Sequence, residues 1–350
     1  MKNKNTYLVT KYSKPWVGVP LIEEIIKNNK NSIIVINPNN SIYPRGAIMF
    51  YYIMIINIKL ILNFSKVRKV IIYNDPILVL STYPLIKMFN IFRDVKCYYL
   101  FESKWFSKMG ERLSPYLLFV LNSKDYNKIF VLDEFLREYL ESKGLIRDKI
   151  SIIGTGINFE IFKPNKGKFK GKFLYVGSLD KRREIDKIIM AFHKAINEKR
   201  GIKLLIVGDG DDIKNLKELV KNLKLSRSIS FTGNIPHQKV SKEIQDSDIC
   251  ITFYPPQIFG IQLPFKTLEY MACRKPVISV DTEANQFYFK NNKNIILIPF
   301  KEEKLTEAMI LLVENNELRE KISKEGYSYV IENFNWENVI NKFRKGLFIK

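Results

Sequence analysis

The chain has 350 residues and a formal net charge of +21, from 57 Lys and Arg against 36 Asp and Glu. A hydrophobic content of 46% beside 27% charged residues excludes a disordered chain, and the length suits two domains better than one. Three widely spaced cysteines (Cys97, Cys250 and Cys273) exclude a disulfide framework and show no metal-type pairing, so reduced thiols are the simplest reading.

The opening residues, Met1-Lys-Asn-Lys-Asn, lack the apolar core of a signal peptide. Residues 6–10 read as a first strand, followed by a loop with Gly18 and a helix from Pro20. A glycine between the first strand and first helix lets backbone approach a ligand closely, although an ordinary turn would look the same. Residues 32–37 form a second strand. Next comes an apolar run, unbroken from Ala47 to Ile56 and then interrupted by Asn57, Lys59 and Asn63. At fewer than the roughly 20 apolar residues needed to span a bilayer, it is either a core helix or a helix partly exposed at a membrane interface. Residues 1–100 hold 14 Lys and Arg against 4 Asp and Glu, a local excess of 14 − 4 = +10. That excess points to an anionic partner and predicts peripheral membrane association through the first domain, on the cytoplasmic side. A lysine-rich composition without a specific partner is the other reading.

Residues 70–73 and 96–101 read as strands, the second ending at Glu102, where open α/β sheets gather ligands. Strands at 128–132 and 149–153 flank a helix at 134–143. A Gly, Pro and Lys-rich stretch at 164–172 marks an interdomain linker. Beyond it, strand and helix alternate: 173–176, 185–197, 203–207, 212–223, 230–231, 237–245, 249–253 and 277–280. This pattern predicts a doubly wound parallel sheet.

Two stretches carry the chemistry. In Tyr175-Val-Gly-Ser-Leu-Asp-Lys-Arg-Arg183 a strand ends at Gly177, and Lys181, Arg182 and Arg183 stand ahead of a helix. In the second, a short helix begins near Pro264 with Lys266, Glu269 and Tyr270 on one face. A lysine in the first helical turn opposes the helix dipole, and a bound phosphate would resolve the conflict. Glu269, one turn on, is placed to accept hydrogen bonds from a diol, so phosphate beside diol outlines a nucleotide. A solvated Lys/Glu pair is the alternative. Asp209 and Asp211 in Gly208-Asp-Gly-Asp211 look like a metal pair, but a strand precedes them and a helix follows, which makes them capping residues.

The run Pro264-Phe-Lys-Thr-Leu-Glu-Tyr-Met-Ala272, continuing to Lys275-Pro-Val-Ile278, resembles the donor-binding helix of the retaining family-four (group 1) glycosyltransferases of GT-B fold. The resemblance covers most of residues 125–345 and is weak over the first hundred. It implies two Rossmann-like domains facing a cleft: residues 1–163 on the acceptor side, with a C-terminal helix at 336–350 packing back on it, and residues 164–335 on the donor side. It implies transfer, with retention and without metal or cofactor, from a UDP- or GDP-linked sugar to a glycan, lipid-linked or other acceptor. Arg183 and Lys266 would hold the diphosphate and Glu269 the ribose. Gly177, Ser178 and Arg182 would line the phosphate loop, Pro236 the base pocket, and Gly18 and Glu102 the sugar. Two departures stand out: Ser178 replaces an arginine, and Ile261 replaces an earlier glutamate. They motivate the alternative of a weak or inactive relative that binds nucleotide or glycan. A nucleic-acid binder is a third reading, motivated by charge alone, with no recognisable module.

Overall fold

A computed structural model describes residues 5–10, 33–36, 47–63, 67–73, 76–92, 94–101, 108–165, 167–259 and 265–348. The chain divides into two compact units, Met1–Gly156 with Trp336–Lys350, and Ile157–Asn335.

Among the described residues the first unit has six parallel strands: β1 (Asn5–Thr10), β2 (Ile33–Ile36), β3 (Val67–Tyr73), β4 (Lys96–Phe101), β5 (Tyr126–Val131) and β6 (Ile150–Ile152). Their order is β2-β1-β3-β4-β5-β6. Runs such as Val70-Ile71-Ile72 are buried on both faces, as a sheet covered by helices requires. The apolar run becomes one helix, α1 (Ala47–Leu62). Ile56 and Leu60 are buried, whereas Met54, Ile58, Ile61 and Leu62 are exposed, so α1 is a core helix on one side only. Two helices not expected from the sequence, α2 (Pro76–Phe92) and α3 (Lys108–Asn122), run through Pro84 and Pro115. Next comes α4 (Glu134–Ser142), capped by the Asp133 carboxylate on the Leu136 amide at 2.6 Å.

The second unit has β7 (Lys172–Val176), β8 (Lys203–Val207), β9 (Ile229–Gly233), β10 (Ile249–Thr252), β11 (Val277–Val280) and β12 (Ile296–Ile298), all parallel, in the order β12-β11-β10-β7-β8-β9. Strands β8 and β9 extend one way from β7, and β10 to β12 extend the other. The crevice between β7 and β10, beyond their carboxyl ends, is therefore the topological switch point. Its helices are α5 (Ile185–Glu198), α6 (Ile213–Asn222), α7 (His237–Gln245), α8 (Pro256–Phe259), α9 (Phe265–Ala272), α10 (Glu283–Tyr288), α11 (Glu302–Glu314) and α12 (Asn316–Asn333). Alternation along the strands fills two apolar clusters: Phe173 and Ile251 join Phe192 in one, and Leu174 and Cys250 join Tyr270 in the other. Ile157 and Phe162 pack into the second cluster, so the division falls at Gly156 and not after Lys163. Helix α13 (Trp336–Phe348) belongs to the first unit, where Phe343 meets Phe130 at 4.8 Å between ring centres.

Helix α9 ends in a tight turn: the amide of Arg274 donates to Met271 O and that of Lys275 to Tyr270 O. Arg274 holds φ at 55°, a left-handed conformation that suits glycine and costs other residues about 1–2 kcal/mol. Arg274→Gly should therefore stabilise the second unit by about 1 kcal/mol. A lower denaturation midpoint would show that the arginine contributes more than the turn costs it.

Candidate functional site

Two loops meet at the carboxyl ends of β7 and β8. The Leu179 amide donates to Asp209 O, and the Asp212 amide returns to Leu179 O, each at 3.0 Å. The approach is too close for side chains. A Cβ on Gly208 would lie 1.8 Å from Gly177 O, and one on Gly210 would lie 2.3 Å from the Leu179 carbonyl carbon. Asp211 Oδ1 accepts from the Lys181 amide at 3.1 Å, and Asp209 Oδ1 from the Gly210 amide at 2.8 Å. Both aspartates thus fasten loop backbone and do not cap α6 as the sequence suggests, because the N-cap position falls to Asp212. Among the described residues, no group of three or more His, Cys, Asp or Glu could hold a metal.

Beyond Gly177 the charges converge on Asp180. The Ser178 hydroxyl donates to Asp180 Oδ2 at 2.9 Å, Arg182 Nε to Oδ1 at 3.1 Å, and Arg183 Nε lies 3.9 Å from Oδ2. Arg182 is largely exposed, while Arg183 is partly buried and close to Tyr175. Burial pushes the Tyr175 hydroxyl up to about 12, against the nearby Arg183 charge and with that of Asp180. Arg183 also faces Tyr254, the second residue after β10, so it sits at the switch point.

Helix α9 supplies the other half. Its Tyr270, expected on the same face as Lys266 and Glu269, is fully buried, and its hydroxyl accepts from the Val176 amide at 2.9 Å. That bond fixes α9 to the last residue of β7, next to Gly177. Lys266 Nζ donates to Glu269 Oε2 at 2.6 Å. The other oxygen, Oε1, lies 3.0 Å from His237 Nε2 at the start of α7, directly after Pro236. Burial alone would raise the Glu269 carboxyl, but the charge of Lys266 and the hydrogen bonds from His237 and Lys266 outweigh it and hold the group below the usual carboxylate range. Glu269 is thus a buried, ionised acceptor with a cation on one oxygen and an imidazole on the other.

A buried polar chain supports this helix from beneath. Thr267 Oγ1 lies 3.2 Å from Thr252 Oγ1, which donates to Ser279 Oγ at 2.8 Å; Asn285 Nδ2 donates to the same Ser279 oxygen at 3.0 Å. Strands β10 and β11 and helices α9 and α10 are tied through four small side chains, a buried polar network in which the Asn285 Oδ1 atom has no hydrogen-bond partner among the described residues.

Of the residues singled out in the sequence, Gly177, Ser178, Arg182, Arg183, Pro236, Lys266 and Glu269 all lie beside the β7/β10 switch point or at the start of α7. The Pro236 carbonyl is taken by the Lys239 and Val240 amides, so this residue shapes the turn and caps α7. Gly18, Glu102, Ile261 and Pro264 lie outside the described residues. His237, which the sequence does not mark as a site residue, is a direct partner of Glu269. The one feature that could have flagged it is its place right after the Gly233-Asn-Ile-Pro236 loop.

The family described as Glycosyl transferases group 1 matches residues 157–329. An uncharacterized glycosyltransferase of Methanocaldococcus jannaschii, MJ1069, is 31% identical over 228 residues, covering 62% of this chain and 55% of its own. A probable sucrose-phosphate synthase of Thermosipho melanesiensis is 28% identical over 220 residues, covering 59% of this chain and 49% of its own. The chain thus spans about half the length of these two relatives. Among solved structures, Alr3699/HepE of Anabaena in complex with UDP-glucose superposes with a TM-score of 0.80 over 98% of this chain and 99% of that one, at 12% identity.

Proposed function

Because residues 157–329 belong to the group 1 glycosyl transferases and the chain has the GT-B fold, we propose that it moves a sugar from a nucleoside-diphosphate sugar to a glycan or lipid-linked acceptor, with retention at the anomeric carbon. The observation that carries the donor class is Lys266 and Glu269 on one helix beside the β7/β10 crevice. There a cation faces phosphate and an ionised, buried carboxylate faces the ribose hydroxyls. Lys266 and Arg183 stabilise the charge that grows on the departing diphosphate. The leaving phosphate takes the acceptor proton on the same face of the sugar, so no strong protein base is required. UDP and GDP sugars are both candidates. UDP comes first because the structural neighbour was solved with UDP-glucose.

Thermal stabilisation by a panel of nucleotide sugars, followed by NMR of the product anomer, tests this reading. No stabilisation by any of them would remove the donor site, and an inverted product would remove the mechanism. The second reading, a binding protein without turnover, draws on Ser178 and Arg182, both tied to Asp180. Hydrolysis of the donor sugar separates the two.

Metal plays no part in this proposal. Asp211→Asn keeps an oxygen for the Lys181 amide, so most turnover should survive both that change and a chelator. Metal-dependent turnover abolished by Asp211→Asn would overturn the loop-fastening role.

A further inference from the structure

Among its described residues, the first unit exposes large apolar side chains on three neighbouring helices. In α1, Met54, Ile58, Ile61 and Leu62 recur at i, i+4, i+7 and i+8, so they form one stripe, and it faces solvent. Helix α2 packs against α1 and continues the surface with Met88, Ile91 and Phe92; α3 packs against α2 and adds Tyr116 and Phe119. Leu62, Phe92 and Phe119 are 75%, 72% and 71% exposed, which is far from the residual exposure of core side chains. Several large apolar side chains exposed on adjacent helices are the pattern of an interaction site.

Charge narrows the partner. Helices α1 and α2 contain no acidic residue, and Lys59 and Lys87 are exposed on them. Lys124, just past α3, is exposed as well, and the exposed carboxylate just past α2, Asp94, is paired with Lys96 at 2.9 Å. Apolar side chains that reach the acyl boundary, with lysines snorkelling to anionic headgroups, are what holds an interfacial helix. No helix among the described residues is long and apolar enough to cross a membrane, so the contact would be a surface one.

We propose that the exposed faces of α1, α2 and α3 dock the first unit on an anionic lipid bilayer. Position adds a second step. Among the side chains described, the exposed apolar ones of α1 and α2 lie from Met54 to Leu62 and from Met88 to Phe92, on the side of the helix C-termini that lead into β3 and β4. Ligands of open α/β sheets gather beyond the opposite, carboxyl ends of the strands. At about 3.3 Å per residue, strands of this length put the two edges about 20 Å apart. The described part of the surface therefore lies toward the amino-terminal edge of the first unit's own sheet. The docking proposal stands whether or not the sugar-transfer reading holds.

Co-sedimentation of the full chain with vesicles of phosphatidylglycerol and phosphatidylcholine, at low and high salt, tests it. The wild type should bind and should bind less as salt rises. Leu62→Glu/Phe92→Glu should weaken binding by about tenfold or more at either salt, with an unchanged melting curve. If that variant melts early, Phe119→Glu on the separate helix α3 replaces it. Lys59→Glu/Lys87→Glu should weaken binding at low salt only. A wild type that stays in solution at low salt would overturn the proposal, as would vesicle binding indifferent to the apolar substitutions. A self-association broken by Leu62→Glu/Phe92→Glu, with no vesicle binding, would instead assign the surface to a second copy of the chain.

Discussion

Gly208→Ala should destabilise the second unit by roughly 2–6 kcal/mol and abolish nucleotide binding in whatever protein still folds. Two costs combine. Gly208 holds φ at 141°, a region that side chains rarely enter, and the added Cβ would stand 1.8 Å from the Gly177 carbonyl oxygen. That oxygen is backbone, so it can yield only by moving the loop that carries Ser178 to Arg183. Gly201→Ala is the control: its φ is 88°, with nothing within 4 Å of the new Cβ, so the strain of about 1–2 kcal/mol stands alone. Denaturation midpoints of the two variants, read beside nucleotide affinity, make the comparison. If Gly208→Ala were as mild as Gly201→Ala, the close contact between the two loops would not be what fixes the phosphate loop.

The second unit was more legible in the sequence than the first. Its strands are short apolar runs cut by glycine turns, and its amphipathic helices between them keep a clear period, so residues 203–207, 237–245 and 277–280 were read with the bounds the structure has. In the first unit α2 and α3 went unread because Pro84 and Pro115 look like breakers. Proline removes one helical hydrogen bond and crowds the preceding turn, but both prolines lie on the solvent-exposed side of their helices, so the rings stay out of the packed face. The half-exposed state of α1 was unreadable for a different reason: apolar residues occupy both its faces, and only tertiary contacts decide which face is covered. At the site, Lys266 and Glu269 were visible as a spacing within one helix. His237 reaches Glu269 across 32 positions, and no local pattern encodes such a meeting.

Lys266→Ala should lower the transfer rate by roughly two to three orders of magnitude, because a lost charged contact to a leaving group costs about 2–4 kcal/mol in the transition state. Glu269→Gln should mainly weaken nucleotide binding, by around 1.5–3 kcal/mol for hydrogen bonds to a charged acceptor. The structure adds a complication that melting curves can resolve. Lys266 and Glu269 bond each other at 2.6 Å, and Glu269 is buried, so removing the lysine leaves an ionised carboxylate with His237 as its remaining side-chain partner. Lys266→Ala should therefore melt early as well as react slowly. The double variant Lys266→Ala/Glu269→Gln separates the two effects, because neutralising the stranded charge should restore part of the melting temperature. Donor affinity should not recover with it, since both nucleotide contacts are then gone. Calorimetry and melting curves for the three variants complete the cycle. If affinity returned together with stability in the double variant, the pair would be a structural ion pair, and the nucleotide would bind elsewhere.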